Sequence, residues 1–265
     1  MSFKAEDFKK YEHYIVEEVE ANVYHIQFND PKTLNSFTEK RWRDYQEILE
    51  KLDQIEHCAV IIISSTSPKA FSSGINLKEA MELFSDDDGD KKRKYNKMSK
   101  FTYDFGHSIS TPARISTPTI CLVNGVCYGL GLDIASTCTI RVATPDCRFS
   151  IREIKVGIIS DMGTLQRMNI AVGNKSLFNQ YALTGCVFST EDANRLGFIS
   201  RVVPDLQSGV KYCRELATDI ASNVNWAIKG TKKSVQQIQD GGFVDDGMKF
   251  SIQWNVDNIA GVSKL

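Results

Sequence analysis

The sequence predicts a mixed α/β fold, and three observations predict it. Apolar and polar residues alternate in residues 14–28 on either side of Glu20-Ala21-Asn22, which is typical of a β-hairpin. Residues 58–64 and 119–123 are continuously apolar, which is typical of strands buried on both faces. Strand, strand and helix patterns repeat over about the first two hundred residues, and this order favours an α/β fold over a helical bundle.

After the hairpin, residues 29–37 (NDPKTLNSF) break the strand and supply helix caps. Apolar side chains then recur at helical spacing, and they are Trp42, Tyr45, Ile48, Leu49 and Leu52. A long amphipathic helix is therefore predicted from about Thr38 to Leu52. The buried strand at 58–64 follows it, and Ser72-Ser73-Gly74 ends that strand region. Asn76 is in position to cap the next helix.

A charged run interrupts this pattern, with acidic residues at 86–90 (DDDGD) and basic residues at 91–94 (KKRK). We interpret it as a solvated loop that enters an exposed helix, and phosphate binding by the basic half is the alternative. Helical spacing resumes through Met98, Phe101 and Phe105, before the buried strand at 119–123.

The C-terminal part of the chain is predicted to be mostly helical. Asn174 caps one helix, and a second opens at Ser189 and stops at Gly197. A last strand is predicted at 198–203, and three helical patterns without a strand signal follow it. Because those helices are not needed to complete a sheet, we expect residues 1–203 to form the core and residues 204–265 to form a helical oligomerisation region.

Composition excludes several classes of function. The net charge of −1 and the pI of about 6.4 give no electrostatic reason to expect nucleic acid or an anionic membrane as partner. No apolar run approaches the ~20 residues of a membrane span, and the N-terminus lacks a signal-peptide core. The 7 cysteines are odd in number and scattered, which predicts free buried thiols in a reducing compartment. No metal-ligand spacing, redox cofactor or nucleotide fingerprint is indicated.

The last three residues, Ser263-Lys264-Leu265, match the tripeptide that is read as a peroxisomal address. Coincidence is the alternative, and three specified terminal residues match by chance about once in a few thousand sequences. We therefore expect a peroxisomal matrix protein that binds the import receptor through these residues. The tripeptide says nothing about chemistry.

Two glycine turns each follow a strand and lead into a helix, at Ser73-Gly74-Ile75 and at Gly129-Leu130-Gly131. Two backbone N–H groups at such helix starts are the parts of an oxyanion hole. The second turn also resembles part of a dinucleotide fingerprint, but the third small residue is misplaced and a first βαβ half is missing. A purely structural tight turn stays open as a third interpretation.

Three carboxylates follow the second turn in sequence, and each one separately can be explained without a catalytic role. Asp133 lies in the first turn of a helix, where an acid favours the helix dipole. Glu153 has the position of an exposed acid at a strand end, and Asp161 has the position of an N-cap. Their joint placement near two candidate oxyanion turns indicates an active site.

These residues resemble the crotonase superfamily, the enoyl-CoA hydratases and isomerases. The similarity runs from NDPKTLNSF through KAFSSGINL, TPTICLVNGVCYGLGLDIAS and GTLQR to TGCVFSTEDANRLGFISRVV. The branch of this family that isomerises dienoyl-CoA has acids matching all three of Asp133, Glu153 and Asp161, and this chain resembles that branch. Hydratases typically have glycine matching Asp161, and simple enoyl-CoA isomerases generally rely on one acid.

The resemblance implies a spiral of ββα repeats, trimers or hexamers built by the C-terminal helices, and an acyl-CoA substrate. It implies an oxyanion hole made by the backbone N–H groups of Ile75 and Leu130. The substrate-binding residues implied with them are Ser73, Gly74, Ile75, Asn76, Leu77, Gly129 and Leu130. Position 76 is Asn where the family usually has Asp, and because both residues cap helices we expect little consequence.

The reaction implied is isomerisation of 3,5-dienoyl-CoA to 2,4-dienoyl-CoA in fatty-acid β-oxidation. Asp161 would be the base at carbon 2 and Glu153 the acid at carbon 6, and Asp133 would keep the proton on Glu153 by charge repulsion. An enoyl-CoA isomerase, a hydratase and a non-catalytic acyl-CoA-binding protein are the alternatives. Four lysines are available for the CoA phosphates, and they are Lys69, Lys78, Lys232 and Lys233.

Overall fold

The computed structural model describes residues 3–85 and 89–261, except the side chains of residues 83–85. The strands are β1 (Tyr14–Glu20), β2 (Val23–Phe28), β3 (Val60–Ser65), β4 (Ala70–Ser72), β5 (Thr119–Val123), β6 (Val126–Tyr128), β7 (Ile140–Ala143), β8 (Arg148–Ser150), β9 (Phe188–Ser189) and β10 (Arg201–Val202). The helices are α1 (Glu39–Asp53), α2 (Leu77–Ser85), α3 (Lys91–Ile109), α4 (Thr111–Arg114), α5 (Leu130–Thr137), α6 (Thr164–Ala171), α7 (Lys175–Thr184), α8 (Thr190–Leu196), α9 (Leu206–Ala221), α10 (Asn225–Gln239) and α11 (Val244–Ile259).

The strands form two sheets, and the ββα repeats connect them. The six-stranded sheet has the order β1-β2-β3-β5-β7-β10, and the four-stranded sheet has the order β4-β6-β8-β9. Three successive strand pairs, β3 with β4, β5 with β6 and β7 with β8, each place the first strand in the larger sheet and the second in the smaller one. Because β4, β6 and β8 are parallel neighbours, the turns at their carboxyl ends lie side by side.

The N-terminal predictions are confirmed in detail. β1 and β2 pair as an antiparallel hairpin, in which Tyr14 faces Phe28. The predicted amphipathic helix is α1, capped by the Thr38 side chain, which accepts a hydrogen bond from Arg41 N. The five apolar side chains that predicted it are all buried.

The charged run lies partly outside the described residues, which omit 86–88. Asp90 caps α3 by accepting hydrogen bonds from the backbone N–H groups of Lys92 and Arg93. The basic residues therefore form the first turn of α3, and residues 91–93 are exposed, as the solvated interpretation predicts.

Of the C-terminal helices, α9 covers one face of the six-stranded sheet. Its buried residues Gly209, Cys213 and Ala217 pack on the six-stranded sheet and share a core with Val60, Ile62 and other strand residues. A Cβ at Gly209 would lie 2.7 Å from a methyl carbon of Leu122, so helix and sheet are in close contact. The sheet is largely parallel and continuously apolar, and a helix must therefore cover this face.

Lys232 joins α10 to the segment that leads into β5. The side chain is 6% exposed, and Nζ donates hydrogen bonds to the backbone oxygens of Pro112, Ile115 and Thr117 at 2.5, 2.6 and 3.0 Å. Burial lowers the pKa of Lys232 to about 8, so most molecules still carry the ammonium group at neutral pH. The three N–H donors are satisfied, so this lysine is a structural anchor.

Replacing Lys232 by methionine should lower the free energy of unfolding by about 3 kcal/mol, because three buried carbonyl groups would lose their donor. Urea denaturation of the purified variant measures this loss. Lys233→Met is the matched control, since Lys233 is exposed and lies over the Trp254 ring at 4.9 Å. An exposed contact of this kind is worth only about 0.5–1 kcal/mol. Equal losses in the two variants would contradict the anchoring role.

Candidate active site

The two glycine turns predicted from the sequence lie together at the ends of β4 and β6. A Cβ at Gly74 would lie 3.1 Å from the Tyr128 carbonyl oxygen and 3.8 Å from Leu130 N. Gly74 and Gly129 both have positive φ values, 106° and 48°, which favour glycine. The second turn is fixed to the next strand, because Gly129 N donates to the Ser150 carbonyl at 2.9 Å.

The backbone N–H groups of Ile75 and Leu130 are free to bind a ligand oxygen. Around Ile75, Phe37 N donates to the Gly74 carbonyl at 2.9 Å and Asn76 N donates to the Phe37 carbonyl at 2.8 Å. These two bonds leave Ile75 N on the opposite side of the chain. Within residues 3–85 and 89–261, neither Ile75 N nor Leu130 N donates a hydrogen bond to a protein acceptor. Two such donors in neighbouring turns have the arrangement of an oxyanion hole.

The other predicted substrate-binding residues support the first turn. Ser73 Oγ donates to the Thr33 carbonyl at 3.2 Å, and Asn76 Oδ1 accepts a hydrogen bond from Glu79 N at 3.2 Å. The prediction that Asn76 caps α2 is therefore confirmed. Leu77 is 55% exposed at the start of this helix.

Glu153 lies directly beside the second turn. It begins a short 3₁₀ helix, Glu153–Val156, that follows β8. Its Oε1 would be 3.1 Å from a Cβ placed on Gly129, so a larger residue at position 129 would crowd the carboxyl group. Its Oε2 is buried and accepts no hydrogen bond from the described residues. The default expectation of an exposed acid at a strand end is therefore wrong for Glu153.

Asp133 is the most deeply placed of the three acids. It lies on α5 and is 1% exposed. Its Oδ1 accepts hydrogen bonds from Thr164 N at 3.0 Å and from Thr164 Oγ1 at 2.5 Å. Asp133 therefore ties α5 to the first residue of α6. Thr164 did not appear among the predicted site residues, because no local pattern indicates a bond between residues 31 positions apart.

Asp161 lies on the wall of an open groove of about 1400 Å³. It does not cap α6, whose N-cap is Gly163 without a side-chain hydrogen bond. The groove is lined by residues of α3, by residues 161–163 and by the end of α10. The lining side chains include Tyr95, Met98, Thr102, Tyr103, Met162, Gln239 and Asp240. Tyr95, Met98, Tyr103 and Met162 give this groove an apolar part, which suits a hydrocarbon chain.

The protonation of the three acids differs. Burial raises the pKa of Glu153 to about 7, and the negative charges of Asp133 and Asp161 add to the rise. Burial raises the pKa of Asp133 to about 6, although the hydrogen bonds from Thr164 favour its ionised form. Loss of hydration also raises the pKa of Asp161. Near pH 7 a proton therefore resides more on Glu153 than on Asp133. Repulsion by the charge of Asp133 contributes to the raised pKa of Glu153, as predicted from the sequence, but burial is the larger cause.

The raised pKa of Glu153 makes stability depend on pH. The unfolded chain releases this proton near pH 4.3, and the folded protein holds it until about pH 7, so folding loses stability as pH rises through this interval. Glu153→Gln has no proton to lose and should be more stable than the natural chain at pH 8, by about 2 kcal/mol after allowance for partial exposure.

Urea denaturation at pH 5 and pH 8 tests this, and the stability gain should be larger at pH 8. Glu191→Gln on the exposed surface of α8 is the matched control and should show no such difference. An equal gain for Glu153→Gln at both pH values would show that the carboxyl group is not held neutral.

The lysines proposed to bind the CoA phosphates differ in their surroundings. Lys232 is excluded as a phosphate ligand, since its ammonium group is buried against three carbonyl groups. Lys69 and Lys78 are exposed and flank the first glycine turn in sequence. These two remain the candidates nearest in sequence to the two free backbone donors.

Within the described part of the chain, no group of three or more His, Cys, Asp or Glu side chains is arranged to hold a metal ion. No helix among these residues is long and apolar enough to cross a membrane. The 7 cysteines are free thiols, and all except Cys186 are buried.

The chain is similar in sequence and in fold to known proteins. The sequence model of the enoyl-CoA hydratase/isomerase family matches residues 18–243. The mitochondrial delta(3,5)-delta(2,4)-dienoyl-CoA isomerase of Rattus norvegicus is 30% identical over 247 residues, which cover 93% of this chain and 75% of that protein. A peroxisomal protein of the same name from Arabidopsis thaliana is 30% identical over 241 residues, covering 89% of this chain and 84% of that protein. The crystal structure of an enoyl-CoA hydratase from Bacillus anthracis has a TM-score of 0.80 at 22% identity, covering 94% of this chain and 92% of that chain.

Proposed function

Because this chain belongs to the enoyl-CoA hydratase/isomerase family, we propose that it isomerises 3,5-dienoyl-CoA to 2,4-dienoyl-CoA. The observation that carries the proposal is the placement of Glu153 against the Gly129 turn, with a raised pKa and with Asp133 and Asp161 close enough to add to it. Transfer of a proton between distant carbons needs one ionised and one protonated acid near one oxyanion hole. The names of the relatives agree with this chemistry.

The reaction begins at carbon 2 of the thioester. Asp161, ionised on the groove wall, removes a proton from carbon 2, and the electrons of that C–H bond enter the conjugated system. The resulting dienolate carries its negative charge on the thioester oxygen, where the N–H groups of Ile75 and Leu130 stabilise it. The raised pKa of Asp161 makes it a stronger base than an ordinary aspartate.

The reaction ends at carbon 6. Protonated Glu153 donates its proton to carbon 6, which gives the 2,4-diene and leaves Glu153 ionised. Before the next turnover Asp161 releases its proton to solvent, and Glu153 takes up a proton from solvent. Asp133 does not touch the substrate in this scheme; its charge keeps the proton on Glu153 and its bonds to Thr164 hold α6.

A hydratase of the same family is the competing function, because the family includes both activities. Purified protein is assayed with 3,5-dienoyl-CoA, 3-enoyl-CoA and 2-enoyl-CoA, and the ultraviolet absorbance of the conjugated product is followed. We expect the highest kcat/KM with 3,5-dienoyl-CoA. Faster hydration of 2-enoyl-CoA would overturn the proposal, and CoA binding without turnover of any substrate would indicate a non-catalytic member of the fold.

We further propose that the protein acts in the peroxisomal matrix, as part of fatty-acid β-oxidation. This rests on Ser263-Lys264-Leu265, which lie outside the described residues and act as an address only at a free carboxyl terminus. The names of the relatives include both peroxisomal and mitochondrial proteins. Import of a fluorescent fusion ending in the natural tripeptide should be lost when Leu265 is deleted, and unchanged import would contradict the proposal.

The proposed assembly is a trimer or hexamer built by residues 204–265. α11 supports it, since Val244, Met248, Ile252, Val256 and Ile259 are each more than half exposed on one helix. A surface of this kind marks a protein interface. Sedimentation of the purified chain should give three or six copies, and a monomer at micromolar concentration would refute this assignment.

A further inference from the structure

Arg167 on α6 lies where the acid-bearing turn, the groove and the C-terminal helices meet. Its Nη1 donates to the Met162 carbonyl at 3.1 Å, and its Nη2 donates to Ser110 Oγ at 2.9 Å. Ser110 lies at the junction of α3 and α4 and lines the groove together with residues of both helices. The guanidinium group therefore connects the turn that carries Asp161 to this junction.

The turn is shaped to receive this guanidinium group. Gly163 has a φ of 106°, and a Cβ at this position would lie 1.9 Å from Arg167 Nη1 and 2.9 Å from Cζ. The arginine thus packs directly on the Gly163 α-carbon. Because Asp161 is two residues before Gly163, an arginine that fixes the Met162 carbonyl also fixes the start of the Asp161 side chain.

Arg167 also interacts electrostatically with the buried acid Asp133. Its charge favours the ionised form of Asp133, and Asp133 and Asp240 in turn favour the charged form of Arg167. The other charged and titratable groups around Arg167 include Glu153 and Asp161 in the site, Asp104, His107 and Arg114 in the groove, and Arg141 and Lys232, which line a cavity of about 430 Å³ that Arg167 also lines. Lys232 is engaged with three carbonyl groups, and Arg141 donates to the carbonyls of Cys138 and Phe198.

We propose that Arg167 is a positioning residue of the proton-transfer site: it fixes the turn that carries Asp161 and holds the negative charge on Asp133, so that the proton stays on Glu153. The inference rests on the proposed isomerase function for its kinetic consequences. Its electrostatic consequence concerns the protein alone and does not depend on any substrate.

The two roles are separated by two substitutions. Arg167→Met removes both the charge and the hydrogen bonds, whereas Arg167→Lys keeps the charge but cannot make both directional bonds. Arg195→Met is the control, since Arg195 pairs with Asp192 on the surface of α8. Circular dichroism establishes that each variant is folded, and Arg167→Lys stands as the test if Arg167→Met does not fold.

The electrostatic role is read from infrared titration of the substrate-free protein. The carbonyl band of the protonated carboxyl groups is assigned by its loss in Glu153→Gln and Asp133→Asn. In Arg167→Met we expect this band to persist to higher pH by about one unit, because an opposite charge near a carboxyl shifts its pKa by that order. In Arg167→Lys and Arg195→Met the titration should match the natural chain.

The positioning role is read from kinetics with 3,5-dienoyl-CoA. Misplacement of a reacting group by about 1 Å can cost about 100-fold, so kcat should fall roughly 10- to 100-fold in both Arg167 variants while KM changes little. Only Arg167→Met should also shift the pH profile of kcat. An unchanged titration together with an unshifted pH profile in a folded Arg167→Met would overturn the inference. A shifted titration in a protein that lacks isomerase activity would support the electrostatic role and refute the proposed function instead.

Discussion

Replacing Glu153 by glutamine should lower kcat for 3,5-dienoyl-CoA by about 10³-fold, because general acid catalysis by a positioned side chain contributes 10²- to 10⁴-fold. The amide keeps the size of the carboxyl group beside Gly129, so the backbone donors and KM should be nearly unchanged. Asp161→Asn should cause a loss of similar size, since the base at carbon 2 would be removed. The ultraviolet rise of the conjugated product measures both variants.

Glu191→Gln makes the same chemical change on the exposed surface of α8 and should leave kcat unchanged. If Glu153→Gln or Asp161→Asn keeps near-normal turnover, that residue does not carry the proton. A large rise in KM at constant kcat would instead indicate a binding role. Because Glu153→Gln is also expected to stabilise the protein at pH 8, loss of activity with a gain of stability would exclude misfolding as the cause.

Gly131→Ala should lower both stability and activity. A Cβ at this position would lie 2.8 Å from the Ser72 carbonyl oxygen and 3.1 Å from Ser72 Cβ, so α5 would have to move away from β4. Overpacking of this kind costs about 1–3 kcal/mol. The same movement separates the N–H groups of Leu130 and Ile75, and loss of an oxyanion donor lowers kcat by about 10²- to 10³-fold.

Gly173→Ala is the control for this prediction, because a Cβ there would meet no atom within 4 Å. Stability and kcat should be close to those of the natural chain. Urea denaturation and the isomerase assay are applied to both variants. If Gly131→Ala binds and turns over substrate normally, the close approach of α5 to β4 does not build the oxyanion hole.

Long elements with strong periodicity were predictable from the sequence, and short strands were not. α1 has apolar residues at helical spacing and β3 is an unbroken apolar run, and the structure confirms both. β4, β6 and β8 have 3 residues each, which is too short for a period to be visible. They exist because the neighbouring strands of the smaller sheet pair with them. The strand predicted at 198–203 is shorter in the structure. It is β10, which has 2 residues that pair with β7.

The sequence indicated the residues of the proposed site but not the contacts that connect them. Glycines after strands and acids near them indicated two donors and three carboxylates, and the adjacency of β4, β6 and β8 places Ile75, Leu130 and Glu153 at one sheet edge. The bonds from Thr164 to Asp133 and the packing of Arg167 on Gly163 depend on tertiary contacts that no local pattern encodes. The role of Lys232 could not be predicted either, because a buried lysine and a surface lysine look alike in a sequence.

In the proposed mechanism two different carboxyl groups act at carbon 2 and at carbon 6. A single turnover in D₂O tests directly whether the proton added at carbon 6 comes from a second group. Glu153 carries deuterium before the reaction, so the 2,4-dienoyl product should contain one solvent deuterium at carbon 6 in nearly every molecule. Mass spectrometry and proton NMR of the product locate the label. If the hydrogen removed from carbon 2 appears at carbon 6 in place of solvent deuterium, a single group carries the proton between the two carbons, and the two-carboxyl mechanism is wrong.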